Sequence, residues 1–336
     1  MKKYSRFAAI GAAALALCVS TAADAKLKRI TVGTNPSGTV YFLLGTGFAK
    51  TFQEKLGIRS TAQPHSGSTV YVPLVNVGEV TLGLNNTMDS GNAYRGVGDY
   101  KKPLSNLRAL VMFWVIPYGL MVRGDSGITS MEQLRGKKVV INIKPNTSLT
   151  PLTLRILETA GIMEKDVISM DSGGLIKNID LVVQGRAIAS PVAYSMPAVR
   201  KAHATTPGGI RILPLGNLGT DAFLDSGVSG TATMIATPGK RRPFFKQPTK
   251  IAAFQSFLNA GSAVSADDAY LLVKTLHQNW KAMQKAYGPL RGVKQNKIAP
   301  STNPIPYHAG AVRYFKEIGI WTAANDKRQA EVTVGK

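Results

Sequence analysis

The sequence predicts an α/β protein of two lobes, each a mostly parallel sheet flanked by helices, with a ligand cleft between them. Three observations predict it. A strand, polar loop, helix order runs through the first part of the chain and starts again after a long apolar stretch near residue 115. Apolar residues alternate at period two in the short segments and recur at period 3.6 in the longer ones. The 336 residues are 44% hydrophobic and 18% charged, enough for about two cores of ordinary size.

Arg29-Ile30-Thr31-Val32-Gly33 reads as the opening strand, followed by the loop Thr34 to Thr39. The helix after it carries Val40, Leu44, Phe48, Phe52 and Leu56 on one face, with Thr39 as N-cap and Gly57 as its stop. Ile58 to Gln63 reads as a strand and His65-Ser66-Gly67-Ser68-Thr69 as a loop. Val70 to Val77 is a short helix ended by Gly78, and Val80, Leu82 and Leu84 alternate as a third strand that ends in the polar run Asn85-Asn86-Thr87.

Leu107 to Val122 is apolar and interrupted by Pro117; the crossover between lobes is placed over Pro117 to Ser126. Lys137 to Ile143 is the next strand, and Pro145-Asn146-Thr147-Ser148 leads into a helix marked by Leu149, Leu152, Ile156 and Leu157. A helix over Ile179 to Val183, a strand over Ala187 to Val192, a helix over residues 197–203 and a strand over Ile210 to Leu215 continue the series. Residues 216–248 read as loop-rich, with Pro238-Gly239 and Pro243, and over them the chain returns to the first lobe. Ser265, with Asp268 three residues on, caps a long helix whose stripe is Val273, Leu276, Trp280, Met283 and Tyr287; a last helix covers about Ala309 to Ile318. The expected division is lobe 1 over residues 26–120 plus 236–336 and lobe 2 over residues 121–235.

Residues 1–25 read as a secretory signal: Lys2, Lys3 and Arg6, an apolar run from Phe7 to Ser20, then Ala23-Asp24-Ala25 with cleavage after Ala25. The run is too short to span a membrane, so an exported, periplasmic protein that is not membrane-spanning is expected. The single cysteine, Cys18, lies in this run, so no disulfide is expected in the remainder. Net charge is +22, and the chain beyond Ala25 keeps 38 basic against 18 acidic residues. Such a field draws anions. The basic residues are scattered and do not interleave with aromatics, which argues against nucleic acid as the partner.

Gly124-Asp125-Ser126-Gly127 and Asp171-Ser172-Gly173-Gly174 echo a serine-protease string, but neither has a supporting histidine nor a strand-elbow-helix setting, so no catalysis is expected. His65, His203, His277 and His308 stand apart, and neither metal nor nucleotide cofactor is expected. What remains is a set of polar loops at strand ends: Ser37, Gly38 and Thr39; Ser66, Gly67, Ser68 and Thr69; Asn85, Asn86 and Thr87; Thr147 and Ser148. Three lead directly into helix N-termini, whose free N–H groups suit a carboxylate or similar anion. Tyr41, Trp114, Tyr118 and Tyr194 are the aromatics placed to complete such a pocket.

Several segments resemble the TAXI group of solute receptors for tripartite ATP-independent periplasmic (TRAP) transporters. Ile30 to Thr34 and Ser37-Gly38-Thr39-Val40-Tyr41 resemble its opening strand, turn and Val-Tyr; Ser66-Gly67-Ser68-Thr69 with Leu74 resembles its Thr-Gly-Gly-Ser; Gly78-Glu79-Val80 through Leu84-Asn85 resembles a third segment. Val122-Arg123 through Gly136-Lys137-Lys138-Val139 resembles the opening of the second lobe, shared with other type II binding proteins, and Pro306-Tyr307-His308-Ala309-Gly310-Ala311 resembles the closing segment. The resemblance spans about residues 28–320 and implies a type II periplasmic-binding-protein fold, no catalysis, and a TRAP permease as partner. It implies a small carboxylate ligand, glutamate-like or another organic acid, faced by Ser37, Thr39, Tyr41, Ser66, Ser68 and Asn85 from the first lobe and Thr147, Ser148 and Tyr194 from the second. Two departures concern the pocket: Leu149 stands where the family often has Glu, and Trp114 where a tyrosine is commoner. A receptor for an ABC importer of sulfonates or pyrimidine precursors, or a sensor feeding a kinase, shares much of this pattern.

Overall fold

A computed structural model describes residues 27–334; the expected signal segment and Cys18 lie outside the described residues. The strands are β1 (Arg29–Thr34), β2 (Arg59–Pro64), β3 (Leu82–Asn86), β4 (Arg108–Arg123), β5 (Lys138–Ile143), β6 (Ile168–Ser172), β7 (Ala189–Ala193), β8 (Ile210–Ile212), β9 (Thr231–Ala236) and β10 (Thr249–Ala260). The helices are α1 (Val40–Leu56), α2 (Ser68–Val77), α3 (Thr87–Arg95), α4 (Leu149–Glu158), α5 (Leu175–Val183), α6 (Pro197–Thr205), α7 (Asp221–Gly227), α8 (Ala266–Gln278), α9 (Trp280–Ala286), α10 (Ala309–Glu317) and α11 (Ala323–Val334).

The strand order is β2-β1-β3-β10-β4-β7-β5-β6, with β8 beside β4 and β9 beside β10. β1 runs parallel to β2 and β3, and β5 runs parallel to β6 and β7. These two parallel sets are the lobes. Between them β4 and β10, the longest strands, pair antiparallel from Ala252 opposite Tyr118 to Ala260 opposite Arg108. β10 pairs with β3 through residues 256–260, whereas β4 pairs with β7 through residues 118–122, so two strands tie the sets together.

Pro117 does not interrupt β4, contrary to the sequence reading. A proline inside a sheet removes one ladder donor. Here the neighbour on the far side, β7, begins pairing only at Tyr118, and the Pro117 carbonyl still accepts from the Tyr194 N–H at 3.3 Å. Two further differences concern helices. The stripe from Val273 to Tyr287 is not one helix: α8 ends at Gln278 and is capped by Asn279, whose side chain donates to the Thr275 carbonyl at 2.8 Å, and α9 restarts at Trp280. Residues 216–248 are not all loop. Thr220 caps α7 by accepting from Phe223 N–H at 3.1 Å, and β9 then pairs with β10.

Caps elsewhere follow the sequence. Thr39 accepts from Phe42 N–H, Ser265 accepts from Asp268 N–H, and Gly57 adopts φ 68° past the end of α1. α1 lies close on the first sheet because Gly45 has no side chain: a Cβ there would stand 2.3 Å from Thr34 Cγ2. Phe48 and Phe52 are fully buried under it, with Phe48 edge-on to Phe113 at 5.5 Å.

Candidate functional site

The C-terminal ends of the parallel strands β1, β2 and β3 lie along one edge of their set, and each of these strands, like β5, gives way to a helix: α1, α2, α3 and α4. Helix α3 was not read from the sequence, so all four polar loops open onto helix N-termini rather than three. Asn86 is its cap, with Oδ1 accepting from Asp89 N–H at 2.8 Å. Asparagine is as good a cap as serine or threonine, and Asn85-Asn86-Thr87 carried that signal.

A narrow cleft with a cavity of about 50 Å³ lies between the lobes. Its floor is aromatic and apolar: Tyr41, Trp114, Ile116, Tyr118 and Phe254. Leu149, Leu175, Ala193 and Met196 close it from the second lobe, and Asn35, Thr39, Asn86 and Asn146 supply the polar rim. Tyr41 meets Trp114 edge-on at 6.0 Å, and Tyr118 meets Phe254 edge-on at 5.5 Å. Trp114 owes its position to an irregularity in β4: opposite Ser256 and Phe257 stand Trp114 and Met112, so Phe113 is bulged. A bulge re-aims side chains along a strand. Phe113 therefore packs on Tyr41 and Phe48 under α1, while Trp114 lines the cleft.

Of the residues expected to face a ligand or complete its pocket, Thr39, Tyr41, Asn86, Trp114 and Tyr118 line this space. Four others touch the opposite lobe instead. Ser68 donates from N–H and Oγ to Asn146 Oδ1, each at 3.4 Å, and Thr69 Oγ1 donates to the Pro145 carbonyl at 3.0 Å. Asn86 Nδ2 donates to Ser148 Oγ at 3.4 Å, and Thr147 Oγ1 donates to Asp99 Oδ2. The Ala198 N–H donates to the Gly38 carbonyl at 3.2 Å. These are lobe-to-lobe contacts, and they join the two sides of the cleft.

Ser37 and Ser66 are exposed and do not line the cleft; their neighbours Thr39 and Ser68 point inward as caps and contacts. Tyr194 is buried against Phe245 at 4.9 Å and Phe244 at 5.9 Å, in the second lobe and away from the lining. Asn85 is fully buried beneath the rim. His65 packs on Tyr71 at 5.5 Å and burial lowers its pKa. Asn35 and Asn146 were missed as lining. Both sit beside a proline in a loop between strand and helix, a pattern that marks a turn but not which way its side chains face.

Behind the rim lies one buried carboxyl, Asp89, in the first turn of α3. Tyr100 donates to its Oδ1 at 3.0 Å, and Ser68 and Asn85 flank it. Burial pushes its pKa up, the flanking hydrogen-bonding side chains oppose the rise, and Asp99 adds to it. A carboxyl whose pKa is raised on folding contributes full stability below its unfolded value, and that stability is lost as pH rises through the folded value. Asp89→Asn is therefore expected to melt a few degrees above the parent at neutral pH and with no such advantage near pH 3. Melting curves across pH check this; a difference that does not change with pH would contradict it.

The sequence matches the NMT1-like family over residues 32–319. The chain belongs to the NMT1-like family. Three solved structures are similar to this NMT1-like chain in fold. A structure described as a periplasmic transporter has a TM-score of 0.53 at 15% identity, covering 91% of this chain and 96% of its own. A structure from Bordetella bronchiseptica RB50 has a TM-score of 0.50 at 14% identity, covering 92% and 89%. The alkanesulfonate-binding protein SsuA from Xanthomonas axonopodis pv. citri, bound to MOPS, has a TM-score of 0.46 at 14% identity, covering 92% and 85%. The fold is that of periplasmic solute-binding proteins. Among the described residues no helix is long and apolar enough to cross a membrane, and no group of three metal-ligating side chains converges.

Proposed function

We propose that this chain is a periplasmic receptor that captures a small organic anion between its lobes and delivers it to a TRAP-type secondary transporter, as its TAXI-like segments suggest. The observation that carries the receptor reading is the cleft itself: an apolar space lined by the first residues of α1, α4 and α5 and by the cap residues of α3 and α6, and closed by hydrogen bonds between lobes. That arrangement suits reversible enclosure, and it offers no nucleophile or base for chemistry. Residues 26–120 with 236–336 act as one body and residues 121–235 as the other. The hinge runs through β4 beside Leu120 and through the segment joining β9 to β10. Ligand drives closure only by its differential affinity for the closed form.

Delivery to an ABC importer is the second reading, which the NMT1-like match supports equally with the first. A permease gene beside this one would support the first reading and an ATPase gene the second.

A thermal-shift screen of the purified protein against carboxylates, amino acids, aromatic acids and sulfonates tests the receptor reading. A ligand at ~100 times its Kd adds about 2.7 kcal/mol. The expected result is a clear shift with one class, accompanied by a smaller radius of gyration in X-ray scattering. Ligands that raise the melting temperature without compacting the protein would contradict closure.

A further inference from the structure

The cleft is lined by no Asp, Glu, Lys, Arg or His side chain among the described residues. Its polar groups are mostly committed. The Tyr41 hydroxyl is hydrogen-bonded to Ser256 Oγ at 2.6 Å, and Thr39 Oγ1 donates to the Pro36 carbonyl at 2.7 Å while accepting from Phe42 N–H. Asn86 is spent on Asp89 N–H and Ser148.

Two amides and the Tyr118 hydroxyl are left over, and all three are buried. Asn146, 3% exposed, has Oδ1 fixed by two donations from Ser68, which leaves its Nδ2 as an unpartnered donor at the lining. Asn35, 5% exposed, leaves Oδ1 as an unpartnered acceptor there. The first two residues of α1, Val40 and Tyr41, also line the cleft, and N–H groups at these positions have no partner within a helix. The free groups are therefore donors at a helix N-terminus, one amide donor, one amide acceptor and the Tyr118 hydroxyl, set in an apolar slot.

Resting on the receptor reading above, we infer that the ligand is a small monocarboxylate with a neutral hydroxyl and a branched or aromatic apolar body. The carboxylate takes the α1 N–H groups and Asn146 Nδ2, where the helix end favours negative charge. The hydroxyl donates to Asn35 Oδ1. The body lies against Trp114, Ile116 and Leu149. An ammonium group finds no carboxylate to pair with, and a second carboxylate finds no cation, so zwitterionic amino acids and dicarboxylates are excluded by the cost of burying an unpaired charge.

Four probes of related shape test this by calorimetric titration into the full chain: mandelate, its amino counterpart phenylglycine, its uncharged amide mandelamide, and glutamate. Mandelate is expected to bind at least about 100-fold more tightly than phenylglycine or glutamate, and about 10-fold more tightly than mandelamide. Asn146→Asp keeps acceptors for Ser68 but puts negative charge at the rim; it is expected to weaken mandelate by about 100-fold and to leave mandelamide within a few-fold. Glutamate or phenylglycine binding as tightly as mandelate overturns the ligand class while leaving the receptor reading intact. Mandelamide binding as tightly as mandelate overturns the anionic part. No binding by any of the four also overturns the class, and the wider screen then decides the receptor reading separately.

Discussion

Replacing Gly67 with alanine is expected to weaken ligand binding by at least about 100-fold while leaving the melting temperature of the unliganded protein unchanged. Gly67 has φ −180°, extended backbone that any residue adopts, so alanine brings no strain to the first lobe. The obstruction lies across the cleft: a Cβ at Gly67 would stand 1.9 Å from the Pro145 carbonyl oxygen and 2.4 Å from the Pro145 Cβ. Packed atoms do not approach so closely, and interiors have no slack to absorb the difference. The lobes must part, which breaks the Ser68 to Asn146 and Thr69 to Pro145 hydrogen bonds together. A 100-fold loss corresponds to about 2.7 kcal/mol of closed-state stabilisation. Titration calorimetry and X-ray scattering check it. Unchanged affinity with unchanged compaction would show that the Gly67 contact is not needed for closure.

Trp280→Ala is expected to be the most destabilising of the single changes considered. Trp280 is fully buried at the start of α9, and its indole N–H donates to the Val293 carbonyl at 2.9 Å. Truncating a buried Trp costs about 3–5 kcal/mol, transfer and cavity terms together. In a chain this long that lowers Tm by on the order of 10 °C. Trp280→Phe is expected to cost much less, because it keeps a ring and because Gln284 Nε2 also donates to the Val293 carbonyl, at 2.8 Å. Thermal melts followed by circular dichroism check both. Equal loss for alanine and phenylalanine would mean that the indole hydrogen bond, not the buried volume, carries the effect.

The parts of the fold that were legible in the sequence are those set by local chemistry. Thr39, Gly57 and Ser265 bound their helices because capping depends on a few adjacent residues. The hydrophobic stripe of α1 and the alternation in β3 gave the elements of the first lobe. What escaped was set by tertiary context. Pro117 stays within β4 because of where β7 begins, which no local pattern encodes. Asn279 ends α8 within an apolar stripe that continues at helical spacing, so periodicity alone runs straight through it. Helix α7 is seven residues long, too short to show a period.

The candidate site divides the same way. Polar loops at strand ends were legible, because strand, turn and helix grammar places them at one edge. Which side chain in each loop faces the cleft was not. Ser68 and Ser148 read like ligand contacts and instead meet the opposite lobe, since a hydroxyl beside a helix N-terminus serves either purpose. Asn35 and Asn146 read as turn residues and instead carry the unpartnered amides. Leu149 was visible as a departure from the TAXI-like pattern, and its place in the lining makes it part of an uncharged slot.

Trp114 can report whether ligand is held between the lobes. The chain has three tryptophans, Trp114, Trp280 and Trp321. Of these only Trp114 lines the cleft. A variant with Trp280→Phe and Trp321→Phe leaves it as the sole indole. Titrating that variant with a ligand from the thermal-shift screen is expected to change Trp114 emission saturably, with a midpoint equal to the calorimetric Kd. Calorimetric binding with no change in Trp114 emission would place the ligand elsewhere and contradict the account.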